Sequence, residues 1–242
     1  MNSHYIIKTL CVFFLLIISC KPKKAKEILY TENFEQYADN KMGNWLIEGN
    51  VTLDSQKAFS GKQSLKLTAG EGYQNRAFIH FNDIFPLAEN TFYGSMMLYI
   101  NEAPPNNIHW TMIQGSGNIK NTNYSAEVRY GGQHQKQLMA NYDTKGTKSD
   151  CWQHSNFKIP EKEWTKYQWY FNGRTNTMKL WVNDSLINSL VVKEKGSGCI
   201  ENELKNLWVF PEFDTITLGW VDYEKGGGKK EIWLDDVSFW TE

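Results

Sequence analysis

The chain has 242 residues, a formal net charge of −1 and 22% charged residues. With no long basic run, this balance argues against nucleic acid as a partner, and the length suits one large all-β domain behind its apolar N-terminus. Aromatic residues make up 14% of the sequence, ten of them tryptophan, enough to fill a core and leave rings for a surface.

MNSHYIIK carries one positive charge, and TLCVFFLLIIS is too short to span a bilayer comfortably. The run closes in LIISC, which resembles the lipobox of bacterial lipoproteins. That resemblance implies removal of residues 1–19, lipid on the sulfur of Cys20, and a tether over 20–29 that includes KPKKAK. An ordinary signal peptide and an N-terminal anchor are the other readings, and each exports the chain. Lys21 rather than aspartate follows Cys20, which favours an outer-membrane address in the cell envelope. Loss of Lys8 leaves 25 basic against 27 acidic residues, a net charge near −2. Of four cysteines, Cys11 leaves with the signal and Cys20 is the anchor. Cys151 and Cys199 remain, and an exported chain is expected to pair them in a disulfide. A zinc site would need further ligands at metal spacing.

Short runs with period-2 alternation follow: SLKLTA, RAFIHF, TFYGSMMLYI, HWTMIQ, YSAEVRY, YQWYF, MKLWVND, TITLGW and EIWLDDVSFW. Turn signals such as SGK, FNGRTN, VNDS and EKGGGKK separate them. Many short strands with this punctuation predict an all-β sandwich or jelly roll over residues 30–242. MKLWVNDSLINSLVV predicts a hairpin turning at Asn183 and Asp184, and residues 141–160 read as a polar, irregular insert. Trp45, Trp164, Trp169, Trp181 and Trp233 are assigned to the core or to strand packing.

EVRYGGQHQKQLMANY carries an unusual strand. Alternation puts Glu127, Arg129, Gln133 and Gln135 on one face with Gly131 and Gly132 between them, and interior glycines mark a bulge or a close approach. Oxygen-bearing residues also recur at the two ends of the domain: Glu35, Ser60 with Gln63, and Asp235 with Asp236. First and last strands are commonly neighbours in a jelly roll, so these residues suit a structural calcium, which takes six to eight oxygen ligands. The alternative is that the acids among them are simply turn and edge-strand acids.

In consistent order, NFE, SGKQSLKL, HW, VRYGGQ, WVND, LGWVDY and IWLDDVSF resemble the cellulose-induced secreted proteins of cellulolytic fungi and their bacterial relatives, which are similar in turn to glucuronan lyases. The resemblance spans residues 33–239. Its most specific pieces are Arg129, Gly131, Gly132 and Gln133, then Gly219, Trp220 and Tyr223. It implies a concanavalin-A-like β-jelly roll with a polysaccharide groove on its concave sheet. It also implies calcium held at Glu35, Ser60, Gln63 and Asp235, and β-elimination on an acidic polysaccharide. The chain differs from fungal members in lacking a cellulose-binding tail and in its own YDTKGTKSDCWQHS loop.

Elimination from a uronate removes the proton on carbon five and expels the oxygen on carbon four, which requires the neighbouring carboxylate to be neutralised. Arg129 offers a bidentate fork and Gln133 a further hydrogen bond, with the glycines making room for the chain. His109, which matches a groove-lining position of the family, suits proton abstraction, and Tyr223 suits donation to the leaving oxygen. Trp220 and Trp152 are stacking candidates. Asn141, Tyr142, His154, Gln135 and Asp150 are secondary substrate contacts. Each has a plainer reading: Arg129 paired with Glu127, His109 as a strand-end residue, Tyr223 and Trp220 as packing. The expected partner is a polysaccharide met by a monomer. A non-catalytic carbohydrate-binding lipoprotein is the alternative. A glycoside hydrolase ranks last, because no paired-carboxylate strand is visible.

Overall fold

The computed structural model describes residues 25–38, 42–43, 45–105, 107–145, 149–196, 198–200 and 203–242. The apolar N-terminal run, Cys20 and the first half of the tether lie outside the described residues. Among the described residues the regular structure is almost wholly antiparallel strand, in two stacked sheets.

One sheet runs in the order β13 (Ser185–Leu186), β12 (Thr177–Val182), β11 (Trp164–Asn172), β6 (Thr91–Ile100), β17 (Lys230–Thr241), β4 (Ser64–Ala69) and β3 (Asn50–Asp54). Two strands lie off this path: β1 (Glu27–Glu32) pairs with β17, and β14 (Val192–Lys193) with β12. The other sheet runs β15 (Gly198–Ile200), β10 (Ser149–Lys158), β9 (Gln137–Lys145), β8 (Ser125–Gln133), β7 (Trp110–Asn118), β16 (Glu212–Asp222), β5 (Ala77–Phe81) and β2 (Leu46–Glu48). This is the predicted sandwich. Two corrections concern boundaries. The sheet takes up the end of the expected tether, since β1 begins at Glu27. The expected irregular insert at 141–160 is mostly the paired strands β9 and β10, with Asn141, Asp143, Asp150 and His154 facing out and Tyr142 and Cys151 facing in.

The core follows from alternation. On β8, Ala126, Val128 and Tyr130 are fully buried, and so are Leu138, Ala140 and Tyr142 on β9. Trp110 and Trp220 stack at 4.7 Å between ring centroids in the middle of the sheet. Trp169 and Trp233 are buried as expected, and Trp45, Trp164 and Trp181 are partly buried. The predicted hairpin turns at Asn183 and Asp184 with φ of 47° and 63°, the geometry whose twist matches antiparallel strands.

β17 carries a bulge at Asp235 and Asp236, with φ of 45° at Asp236. The extra residue shifts the inward positions from Ile232 and Leu234 to Val237 and Phe239. The same point divides the partners along one edge of β17, where β4 pairs with Lys230–Leu234 and β1 with 237–241. The first and last strands are therefore neighbours. Cys151 and Cys199 form the expected disulfide, facing each other across β10 and β15.

Candidate functional site

The outward face of the second sheet carries an open cleft of about 690 Å³, floored by β7, β8, β9, β10 and the end of β16. Period-2 alternation brings Glu127, Arg129, Gly131 and Gln133 of β8 into it, beside Met139, Asn141 and Asp143 of β9. Arg129 lies at the floor, only 8% exposed. Its Nε donates to Gln114 Oε1 at 2.8 Å, one terminal nitrogen donates to Asn141 Oδ1 at 2.7 Å, and the other to Glu127. Asp143 lies 3.5 Å from that last nitrogen. Burial opposes the charge on Arg129, but Tyr223, Glu127 and Asp143 outweigh it and raise the guanidinium above its ordinary range. The plainer reading of Arg129, paired with Glu127, is thus what the fold contains, and the pair sits in the cleft.

The glycines have a cause in the protein itself. A Cβ on Gly131 would meet the Trp110 carbonyl, and one on Gly132 would meet the Trp110 ring and the Gln137 carbonyl. β7 bulges between Thr111 and Ile113, which presses its backbone against β8. Close approach of the neighbouring strand and of Trp110 is by itself enough to require glycine at both positions, and Gly131 also lines the cleft.

At one end of the cleft, His109 precedes β7 and Glu224 follows β16. Glu224 accepts from the His109 backbone N–H at 2.7 Å and from ring Nδ1 at 2.7 Å. A carboxylate on Nδ1 fixes the tautomer and leaves Nε2 as a proton acceptor. Tyr223 comes from the same strand end, its hydroxyl 3.1 Å from Thr111 Oγ1 and its ring stacked on Tyr73 at 5.8 Å. Burial raises the Tyr223 phenol above its ordinary value, against the pull of Arg129. The phenol therefore stays protonated at neutral pH, with an O–H able to donate a hydrogen bond.

The other wall carries His134, His154 and Trp152. Asn141 is held by Asp150 Oδ1 at 2.8 Å and the Cys151 carbonyl at 2.9 Å, which turns its own carbonyl to Arg129. Burial, then Arg129 in opposition and the charges of Asp150 and Glu127, leave the Asp143 carboxyl above its ordinary range.

Of the expected residues, the fold brings His109, Arg129, Gln133, Tyr223, Trp152, Asn141 and His154 together in the cleft, with Asp150 beside them. Three expected contacts are corrected. Trp220 is fully buried against Trp110, with Nε1 donating to Asp222 at 2.7 Å. Tyr142 is fully buried, its hydroxyl donating to the Val209 carbonyl at 2.9 Å. Both occupy inward positions of their strands, so alternation points them away from a cleft on the outer face. Gln135 is not on β8 at all; it lies in the turn between β8 and β9. Sequence reasoning missed Glu224, Asp143, Tyr73 and His134. Glu224 adjoins Tyr223 and was legible as a carboxylate at a strand end, whereas Tyr73 reaches the cleft from a distant connection that no local pattern reveals.

The residues expected at calcium share one clasp beside the β17 bulge. Glu35 Oε1 accepts from the backbone N–H of Lys62 and Gln63 at 2.9 and 3.0 Å, and Asp235 Oδ2 from Phe59 and Ser60 at 2.8 and 3.1 Å. Ser60 Oγ donates to Asp236 at 2.8 Å, and the Gln63 amide donates to the carbonyls of Phe34 and Tyr37. Among the described residues, no three His, Cys, Asp or Glu side chains converge as a metal site. The donor set is nonetheless all oxygen around a fully buried Asp235, whose carboxyl burial and Asp236 push upward. Asp235 already accepts from three backbone N–H groups, so a calcium ion here would have to use the remaining carboxylate lone pairs and be completed by neighbouring carbonyls. The clasp lies apart from the cleft, so such an ion would tie the chain ends together and take no part in chemistry.

A family model described as polysaccharide-lyase-like, Cip1-like core domain, matches residues 33–242. Among solved structures, "Cellulose induced protein, Cip1" is similar with a TM-score of 0.65 at 22% identity, over 87% of this chain and 96% of that one. The binding domain of botulinum neurotoxin DC, solved with rat synaptotagmin II, is similar with a TM-score of 0.52 at 17% identity, over 81% of this chain and 43% of that one. A structure described by the dependence of botulinum neurotoxin type C cell entry on two ganglioside molecules gives 0.51 at 18% identity, over 81% and 42%. At these identities the structural likeness shows a shared fold. No curated protein matches the sequence.

Proposed function

The chain belongs to the Cip1-like family of polysaccharide-lyase-like domains, and from that premise we propose that its cleft takes a uronate-containing polysaccharide and cleaves it by β-elimination. The observation that carries this reading is the double hydrogen bond from His109 to Glu224, which occupies Nδ1 and leaves Nε2 for the cleft that Tyr223 also lines; the Tyr223 backbone N–H donates to the His109 carbonyl at 2.9 Å. In the proposed step Nε2 takes the proton from carbon five, the bond from carbon four to the leaving oxygen breaks, and a double bond forms between the two carbons. Tyr223 supplies the proton to the leaving oxygen, with Thr111 holding the hydroxyl. Glu224 stabilises the imidazolium as it forms. Gln114, Asn141 and Glu127 take three of the five N–H donors of Arg129. Asp143 lies 3.5 Å from the nitrogen that also meets Glu127, so what is proposed for the uronate carboxylate is the second N–H of the nitrogen bonded to Asn141, together with Gln133.

Elimination leaves an unsaturated uronate end that absorbs ultraviolet light, whereas hydrolysis does not. A panel of glucuronan, alginate and pectate with the soluble domain tests the reading. Absorbance that rises with one polymer and vanishes in both His109→Ala and Tyr223→Phe supports it. Unchanged rates in either variant would sink it.

One observation favours a second reading, a glycan-binding protein without catalysis. Glu127, Asp143, Asp150 and Glu224 outnumber Arg129 and Lys145 around the cleft, a poor balance for a polyanion. Binding to a glycan with no new chain ends would establish it. In either case the proposed lipid on Cys20 would hold the cleft at the cell envelope, and mass spectrometry of the mature N-terminus decides that point.

A further inference from the structure

Three consecutive residues link β8 to β9, and none is glycine: His134, Gln135 and Lys136 have φ of 31°, 52° and 62°. No other such run of three occurs among the described residues. Histidine visits this left-handed region more readily than most, but glutamine and lysine do so only under constraint. The Gln137 N–H closes the turn on the His134 carbonyl at 2.9 Å, and further contacts hold it from outside. Ile159 N–H donates to the Lys136 carbonyl at 2.9 Å, and Lys136 Nζ reaches both oxygens of Glu161 at 2.8 and 3.0 Å. Glu161 is fixed in turn by the Ala103 N–H at 2.6 Å. Strain that surrounding structure enforces is a mark of a position held for a purpose.

The turn delivers the His134 ring to the cleft wall. Its centroid lies 6.5 Å from that of His109 and 6.1 Å from that of His154. The three imidazoles form a row beginning at the proposed base. Burial, then His134 and His109, hold the His154 imidazole below its ordinary value. Arg129, by contrast, already faces Glu127 and Asp143.

We propose that His134 contacts the carboxylate of the uronate undergoing elimination, sharing with Arg129 the neutralisation that the reaction demands. The inference rests on the lyase reading. As the carbon-five proton passes to His109, charge builds on that carboxylate, so a hydrogen bond from His134 strengthens in the transition state. Its loss should lower kcat more than it raises KM.

The test uses His134→Asn, which keeps a residue tolerant of left-handed φ, and His134→Gly, which relaxes the turn. On the polymer that the wild type cleaves fastest, both should lose about 10²-fold or more in kcat. KM should change by less than about threefold, and Tm should not fall. A kcat within threefold of wild type in both variants overturns the proposal. If the wild type cleaves nothing, the lyase reading fails and an oligouronate titration decides the contact by itself. An affinity loss of about fivefold or more in His134→Asn supports it, while equal affinity, or no binding by the wild type, overturns it. If both variants lose stability, the His134 ring resonances of the wild type are followed during the titration. A saturable shift supports the contact and its absence overturns it.

Discussion

Glu224→Gln isolates the orienting role of the carboxylate from the proton transfer itself. Glu224 accepts two N–H bonds from His109, one from the backbone and one from the ring, both at 2.7 Å. Glutamine retains one acceptor oxygen, replaces the other with a donor, and removes the charge that stabilises the imidazolium. A hydrogen bond to a charged group contributes roughly 1.5–3 kcal/mol. The two side chains are 39% and 43% exposed, so solvent screening places the loss near the bottom of that range. A loss of about 1.5–2 kcal/mol is a fall of roughly 10- to 30-fold in kcat. Initial rates by ultraviolet absorbance measure it, with KM expected to stay within about twofold of wild type because the lost interaction belongs to the transition state. The decisive arm is the double variant. On a His109→Ala background, Glu224→Gln should change the residual rate by less than twofold, since no imidazole remains to orient. A full 10-fold fall there would mean that Glu224 acts on substrate directly, and the dyad argument would be wrong.

Gly132→Ala should lower Tm by several degrees, because its Cβ meets the Trp110 ring and the Gln137 carbonyl and overpacking costs about 1–3 kcal/mol; differential scanning fluorimetry reads it. Asp222 is fully buried with a carboxyl pushed up to about 6, chiefly by burial. The folded state therefore binds this proton more tightly than the unfolded chain, and stability is lost as pH rises from about 4 to 6, by at most about 3 kcal/mol. The difference between wild type and Asp222→Asn in chemical denaturation should open across that window and stay constant above it; a constant difference from pH 4 to 8 would refute the assignment. Calcium at the clasp is expected to raise Tm, by an increment worth about 2.7 kcal/mol at a hundred times its Kd. Asp235→Asn should abolish the response, and an unchanged Tm between calcium and chelator in the wild type would remove the ion from the account.

Alternation made the sandwich and one face of β8 legible, because a strand with period 2 announces which residues share a side. It failed where the phase changes or where the chain looks polar throughout. Residues 141–160 read as loop because Asn141, Asp143, Asp150 and His154 face a cleft, and a cleft-facing strand lacks the apolar contrast that marks a surface one. Trp220 and Tyr142 were misplaced for the opposite reason: their motifs suggested function, but parity with Leu218 and Ala140 puts both inside. Tyr73 needed the third dimension, since the connection before β5 and the end of β16 meet only through sheet order.

Arg129 shows why the most specific motif residue makes the weakest probe. It is nearly buried and tied to Glu127, Asn141 and Gln114, with Asp143 alongside. Removing one partner of a buried ion pair costs about 3–5 kcal/mol, because the other charge is left uncompensated. A domain holds only about 5–15 kcal/mol in total. Arg129→Ala would therefore abolish activity whether or not the guanidinium touches substrate, and the same loss would follow in a protein that merely binds glycans. Arg129→Lys retains the charge but gives up the planar fork that spans Gln114, Asn141 and Glu127. Paired with Glu127→Gln, it separates the two cases. If Arg129 acts only through the sheet, both variants lose Tm and activity in proportion. If its remaining N–H groups hold the uronate, Glu127→Gln frees the guanidinium and tightens polyuronate binding while Tm falls. Opposite movements of affinity and stability in that one variant would tie the arginine to the ligand; parallel losses would confine it to the fold.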